Sequence, residues 1–315
     1  MDTEPQSVKY PLFSESIVYI ISKFPFYKRT SDYIAGNFDE IYYTFAEKIC
    51  SLLLSKVGSK EKYFKSLDSL IRISANYLKL QLYLVKTGHY LHQNFAEVNN
   101  AVYQNEFMES EYLDSLFLSQ VFWPNHFKLL EYFHQFCDLL SEHNEGMEVP
   151  CGAGVFSFVL LGNKSVKTLD LFDISSYSLG YTNKILDLSG KKCAGVNLKK
   201  VDLFELKGKN KYDFIICGEL IEHLEDPKTA LKILDNLLKP KGVLFLTTAI
   251  YAAALDHIYL FENVNDVRTL IFETGFSIHS ELALPLSLKE YKEEMNKEPI
   301  NYACILKKRP DFLTL

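Results

Sequence analysis

Glycine is distributed unevenly along this chain. Eleven of the fourteen glycines follow residue 140; only Gly36, Gly58 and Gly88 precede it. Glycine is scarce inside helices and recurs where strands meet turns. For 315 residues, a length that suits two domains, this predicts an all-α segment over 1–140 and a strand-rich segment over 141–315. The polar run Ser141–Gly146 is the expected boundary.

The first segment shows apolar residues at helical spacing. Ile41, Phe45, Ile49, Leu52 and Leu53 form a stripe after Asp39. A longer helix is predicted from Lys60 to Lys86. Leu67, Leu70, Ile71, Leu78, Leu82 and Val85 lie on its expected buried side, and Gly88 is the expected C-cap. Two more helices are expected near 109–122 and 126–140, with Pro124 breaking the chain between them.

The second segment alternates. Strands are predicted at 147–149, 167–172, 196–201, 212–217, 242–248, 276–282 and 302–307. Helices are predicted at 177–187, 227–238 and 263–274. Buried apolar strands in such alternation predict an α/β fold: a seven-stranded, mostly parallel sheet with helices on both faces. Ligands of such sheets sit beyond the carboxyl ends of the strands.

Composition narrows the function. Apolar residues make up 48% and charged residues 23%, which suits a packed core and excludes disorder and collagen. Net charge is −6, and thirty lysines stand against four arginines, which argues against a nucleic-acid partner. The six cysteines form no CxxC pair and no zinc spacing, so a reduced, cytoplasmic chain is expected. Met1–Gln6 does not read as a secretory leader, and the longest apolar run, 242–255, is too short to span a bilayer. No membrane partner is expected.

Several residues carry chemistry. Glu148-Val-Pro-Cys-Gly-Ala-Gly154 is a strand end followed by Gly152-x-Gly154, where a ligand can approach bare backbone. Alone, it also fits an ordinary strand–helix turn. Asp173 follows nineteen residues later at the tip of the next strand, placed to hold ribose hydroxyls, with Asp170 as its rival. Asp202 ends the third strand, suited to an adenine amino group or to a plain turn. His223 lies just past the fourth strand, where substrate would be.

From about 147 to 309 these landmarks, with Leu237-Leu-Lys-Pro-Lys-Gly-Val-Leu-Phe-Leu246, resemble the class I S-adenosylmethionine-dependent methyltransferases, whose sheet is Rossmann-like. Glu219-x-x-Glu222-His223 is similar to the quinone-biosynthesis O-methyltransferase branch. The resemblance implies that Glu148, Gly152 and Gly154 line the methionine end of S-adenosylmethionine. It implies Asp173 and Ile174 at the ribose, Asp202 and Leu203 at the adenine, and Gly218 and Glu219 beside the sulfonium. Pro150 stands where the family usually has a further glycine, which removes one amide contact. No metal is expected; Glu219, Glu222 and His223 are the candidate trio if a divalent cation is used.

In this family the loop after the fifth strand faces the acceptor, which here makes Tyr251, His257 and Tyr259 candidates. His223 or His257 would serve as general base. Tyr112, Trp123 and His126 are the expected lid residues. The expected function is methyl transfer from S-adenosylmethionine to O, N or C of a small aromatic or hydrophobic metabolite. The helical domain would cover the site, pair two copies into a homodimer, or both. The alternatives are a nicotinamide-dependent oxidoreductase, since Gly152-x-Gly154-x-x-Ser157 is one substitution from the dinucleotide fingerprint, and a catalytically silent S-adenosylmethionine-binding partner protein.

Overall fold

The computed structural model describes residues 6–99, 106–142, 145–162, 165–191 and 195–309. Eight helices come first: α1 (Gln6–Lys9), α2 (Pro11–Lys23), α3 (Tyr27–Asn37), α4 (Glu40–Val57), α5 (Lys60–Thr87), α6 (Phe95–Val98), α7 (Glu106–Phe122) and α8 (Pro124–Asp138). Their limits follow local chemistry. Asp39 caps α4 by accepting from the Ile41 N–H at 2.9 Å. Gly88 ends α5 in the left-handed region, at φ 78°. Pro124 opens α8 at a position whose N–H would have no helical partner.

Helical spacing identified these elements but not which face is buried. Ile41 is 74% exposed, and on α5 Leu78, Leu82 and Val85 are 59%, 71% and 63% exposed. The first half of α5 packs into the core through Tyr63, Leu67 and Leu70, and the second half through Leu84 on a different face. Leu78 lines the cavity described below, while Leu82 and Val85 face away from the core, so periodicity there marks an apolar stripe but not its burial.

Seven strands form one sheet: β1 (Glu145–Glu148), β2 (Thr168–Asp173), β3 (Val196–Lys200), β4 (Tyr212–Gly218), β5 (Leu238–Ile250), β6 (Phe276–Pro285) and β7 (Ile300–Lys308). The order is β3-β2-β1-β4-β5-β7-β6. Strand β7 runs antiparallel to both its neighbours, and the other pairings are parallel. Helices α9 (Val155–Leu160), α10 (Ser176–Leu188), α11 (Pro227–Leu237) and α12 (Val264–Glu273) connect the strands. The sheet begins at Glu145, inside the expected boundary run, part of which lies outside the described residues; so does Cys193. Strand β5 is longer than its apolar run because Leu238 already pairs with Tyr212. The chain reverses order after β1, since β2 pairs on one side and β4 on the other. This switch point opens the cleft used by the site.

One apolar core crosses residue 140. It joins Phe13 of α2 and Tyr42 of α4 to Phe158, Phe214 and Phe245 of the sheet half. Helix α8 lies directly on the sheet: the Phe133 ring is 4.9 Å from both Phe156 and Phe245, and Phe136 is 5.4 Å from Phe245. Such aromatic pairs each add about 1 kcal/mol beyond their burial. Buried Asp114 of α7 adds a polar anchor. It accepts from Lys56 Nζ at 2.7 Å, Ser66 Oγ at 2.7 Å and the Tyr181 hydroxyl of α10 at 3.0 Å. The helices and the sheet therefore form one packed unit around the cleft. No helix among the described residues is long and apolar enough to cross a membrane.

Candidate active site

A cavity of about 1020 Å³ lies over the carboxyl ends of β1, β2, β4 and β5, walled on its other side by α5, α7 and α8. The β1–α9 loop forms its floor. Gly154 has φ +74°, and a Cβ there would come within 2.8 Å of the Thr182 side chain. Gly152 has φ +48°, and a Cβ there would meet nothing within 4 Å. One glycine thus lets the loop close on α10, and the other leaves open space above the backbone. Asp173 holds this shape. Its Oδ2 accepts from the Gly152 N–H at 3.0 Å and its Oδ1 from the Ser175 N–H at 2.8 Å. Asp170, the rival acid, is instead engaged by Tyr212, Lys211 and Asn197 away from this cavity.

Glu148, Gly152, Gly154, Asp173, Ile174, Gly218 and Glu219 all line the cavity. Burial pushes the Glu148 carboxyl up to about 8, although the Ser157 hydroxyl donates to it. Glu219 has φ +49°, uncommon for a side chain other than glycine. Its N–H donates to the Thr247 carbonyl at 3.1 Å and to Thr247 Oγ1 at 3.0 Å. Burial, and then the charge of Glu222, push its carboxyl up to about 8. Glu219 Oε1 is buried without a protein partner. An unsatisfied buried oxygen beside a glycine cradle suits a cofactor that brings its own donors and positive charge. The described residues therefore fit S-adenosylmethionine.

The cavity also carries a hydrogen-bonded array. The Tyr112 hydroxyl of α7 donates to Asp256 Oδ2 at 3.1 Å. His223 Nδ1 lies 2.9 Å from the Asp256 carbonyl and 3.6 Å from its Oδ2. That geometry puts the proton on Nδ1 and leaves Nε2 as the basic nitrogen. Burial works against an imidazolium at His223, but the charges of Asp256 and Glu222 outweigh it and raise its pKa. Burial alone would raise Asp256; the charge of an imidazolium at His223 holds it below the usual carboxylate value. His257 stacks edge-on to His223, with ring centroids 4.8 Å apart, and donates from Nδ1 to the Ala252 carbonyl at 2.7 Å. Burial, with the neighbouring His223 charge, lowers its pKa.

Glu222 fastens the loop that carries Asp256. Its carboxylate accepts from Thr248 Oγ1 at 2.7 Å and the Ala249 N–H at 3.2 Å, and its carbonyl accepts from the Ile258 and Tyr259 N–H groups. Potential ligand atoms of Glu222, His223 and His257 lie within 4.8 Å of one another among the described residues. Glu219 is outside that group, so the trio expected from sequence is not the one the fold brings together.

Other expectations need correction. Asp202 and Leu203 do not line the cavity. Asp202 is exposed and caps a short turn by accepting from the Phe204 N–H at 2.9 Å, while Leu203 is core. Lys200 is the β3 residue on the wall. Tyr251 and Tyr259 are also off the wall: Tyr251 is buried where its N–H closes the loop onto the Phe261 carbonyl, and Tyr259 faces outward. Tyr112, Trp123, His126, His223 and His257 do line it.

Sequence reasoning missed Tyr77, Gln81 and Gln120, which share the same wall. Gln81 clasps the loop after β5: its amide donates to the Tyr251 carbonyl and accepts from the Ala253 N–H, both at 2.9 Å. Only the exposed polar break in the α5 stripe could have signalled it.

The strand order, the glycine loop and the acids at the strand ends define a class I methyltransferase sheet. The family model described as "Methyltransferase domain" matches residues 147–244. That segment belongs to the class I S-adenosylmethionine-dependent methyltransferases. Among curated proteins, the ubiquinone biosynthesis O-methyltransferase of Coxiella burnetii is 27% identical over 124 residues, 38% of this chain and 48% of the relative. Its counterpart in Rickettsia bellii is 27% identical over 123 residues, 38% of this chain and 46% of the relative. The chain spans about half the length of the curated relatives it matches. Among solved structures, the N-methyltransferase NodS from Bradyrhizobium japonicum, in complex with S-adenosyl-L-homocysteine, is 17% identical. It aligns over 60% of this chain and 89% of its own, with a TM-score of 0.42. The nicotinamide alternative falls with the family match: Ser157, at the third position of the would-be fingerprint, is spent on Glu148.

Proposed function

We propose that this chain transfers a methyl group from S-adenosylmethionine to a small aromatic or hydrophobic acceptor, with His223 as general base. The observation that carries this reading is the Tyr112–Asp256–His223 array on the cofactor cavity. S-adenosylmethionine supplies an electrophilic methyl and a thioether leaving group. The protein aligns the reactants, excludes water and removes a proton. Alignment alone lowers barriers by several kcal/mol. The loop of Gly152 and Gly154 and the acids Glu148 and Asp173 hold the cofactor. The acceptor's lone pair forms the new bond to the methyl carbon, and the S–C bond pair returns to sulfur. The acceptor proton passes to His223 Nε2, and Asp256 stabilises the imidazolium that results. His257, neutral and buried, supports the His223 ring. The acceptor atom is O or N when a proton is lost in this way.

Calorimetry with S-adenosylhomocysteine and transfer of a labelled methyl group to a panel of phenols and amines test the reading. Binding with transfer to at least one acceptor, weakened about a hundredfold in His223→Gln, is the expected result. Tight binding with no transfer to any acceptor would instead support a silent partner protein, and no binding would overturn both.

A further inference from the structure

One corner of the cavity is not used by the transfer chemistry. Trp123 and Tyr77 lie with ring centroids 5.9 Å apart, and the His126 ring stands edge-on to Trp123 at 4.9 Å. All three line the cavity. They come from α5 and the α7–α8 junction, on the wall facing the strands, outside the segment matched by the methyltransferase family.

The tautomer of His126 follows from its neighbour. Ser119 Oγ lies 2.7 Å from the Leu116 carbonyl and 2.9 Å from His126 Nδ1. A hydroxyl has one proton. Given to Leu116, it leaves Ser119 to accept from Nδ1–H, so Nε2 is a bare acceptor; the Gln120 amide, 3.4 Å from Nδ1, places its two protons on the Leu116 carbonyl and Ser119 Oγ instead. Burial supports this, since it drives the imidazole pKa down to about 4 and keeps the ring neutral. Charge limits what such a corner can take. Lys200 is the only lysine or arginine on the described cavity wall, and it sits at the end of β3 beside Asp173, on the cofactor side. Acceptors bearing a carboxylate or phosphate find no cation in the corner.

We infer that Trp123, Tyr77 and His126 form an acceptor-recognition subsite. It takes an uncharged planar ring against the Trp123 and Tyr77 side chains and reads a hydroxyl or N–H on that ring through His126 Nε2. This deepens the methyl-transfer reading and rests on it. The donor read here is a second group on the acceptor, distinct from the atom methylated beside His223. An acceptor lacking it leaves Nε2 buried and unsatisfied, at a cost that corresponds to about tenfold in affinity.

Trp123 is the only tryptophan in the chain, so its emission reports on this corner directly. With the protein saturated by S-adenosylhomocysteine, 2,6-dihydroxynaphthalene should quench Trp123 about tenfold more tightly than 2,6-dimethylnaphthalene, which matches it in shape but has no donor. His126→Phe should bring the two within about twofold. Its affinity for S-adenosylhomocysteine, read by calorimetry, should stay unchanged. Ser119→Ala, which keeps the imidazole but frees its tautomer, should reduce the preference part way and serves if the first variant does not fold. Equal affinities in the wild-type protein, or an undiminished preference in the variants that fold, would overturn the inference. So would a diol that fails to quench while S-adenosylhomocysteine binds; that result leaves the methyltransferase reading standing. Failure to bind S-adenosylhomocysteine would overturn both.

Discussion

Tyr112 and Asp256, 144 positions apart, meet at 3.1 Å, with the tyrosine hydroxyl donating to the carboxylate. The bond ties α7 to the loop after β5 and fixes the acid that faces His223. Tyr112→Phe removes the donor and leaves the ring. About 1 kcal/mol of stability should be lost, roughly 2 °C in a melt. Turnover should fall further than stability, because Asp256 loses its orientation. A melt together with a single-turnover rate separates the two effects.

The proposed base gives a pH prediction. His223 is held above its ordinary value by Asp256 and Glu222, against burial. A base must be neutral to act, so turnover should rise with pH through a midpoint above 6.5. Asp256→Asn removes the favourable charge, and the midpoint should move to lower pH. Stability has the opposite sign. A raised histidine pKa contributes stability fully below 6.5, and this is lost as pH rises through the folded value. Rate and denaturation profiles over the same pH range check both.

Gly154→Ala places a methyl group 2.8 Å from Thr182 at φ +74°. The left-handed backbone alone costs about 1–2 kcal/mol for a residue with Cβ. The melting temperature should drop by several degrees (about 2–4 °C per kcal/mol), and S-adenosylhomocysteine affinity should fall with it. Calorimetry on the folded variant measures the second effect.

Asp173→Ala removes the acceptor that holds the Gly152 and Ser175 N–H groups. Cofactor affinity should fall more than about tenfold, because the loop loses its shape as well as the acid proposed to hold the ribose. Unchanged affinity in calorimetry would remove Asp173 from the site.

Asp114→Ala leaves Lys56 without its partner between α4 and α10. Breaking a largely buried pair costs about 3 kcal/mol. The denaturant midpoint should fall accordingly, while turnover by the folded fraction changes little. A loss of turnover with no loss of stability would contradict an anchoring role.

Local chemistry made much of the fold legible. Strand tips, Asp39, Gly88 and Pro124 act within a few residues of themselves, so their effects can be read from sequence. The β1–α9 loop is similar: Glu148, Gly152, Gly154 and Asp173 occupy fixed places relative to consecutive strand ends and line one cavity. Asp202 failed because its carboxylate was taken by the turn immediately after it, a competition that spacing does not reveal. Tyr251 and Tyr259 failed because loop closure, not residue type, decided which side chains face inward.

The sequence by itself determined an α/β methyltransferase sheet with a glycine loop and a helical segment before it, because those features are written in short-range periodicity and turn chemistry. Tertiary structure decided the acceptor side. Gln81, Tyr77 and His126 reach the cavity only because the helices pack across the sheet, and burial there keeps the His126 imidazole neutral. The exposed stripe on α5 makes the same point: an apolar face is local, but its burial depends on what the rest of the chain brings to it.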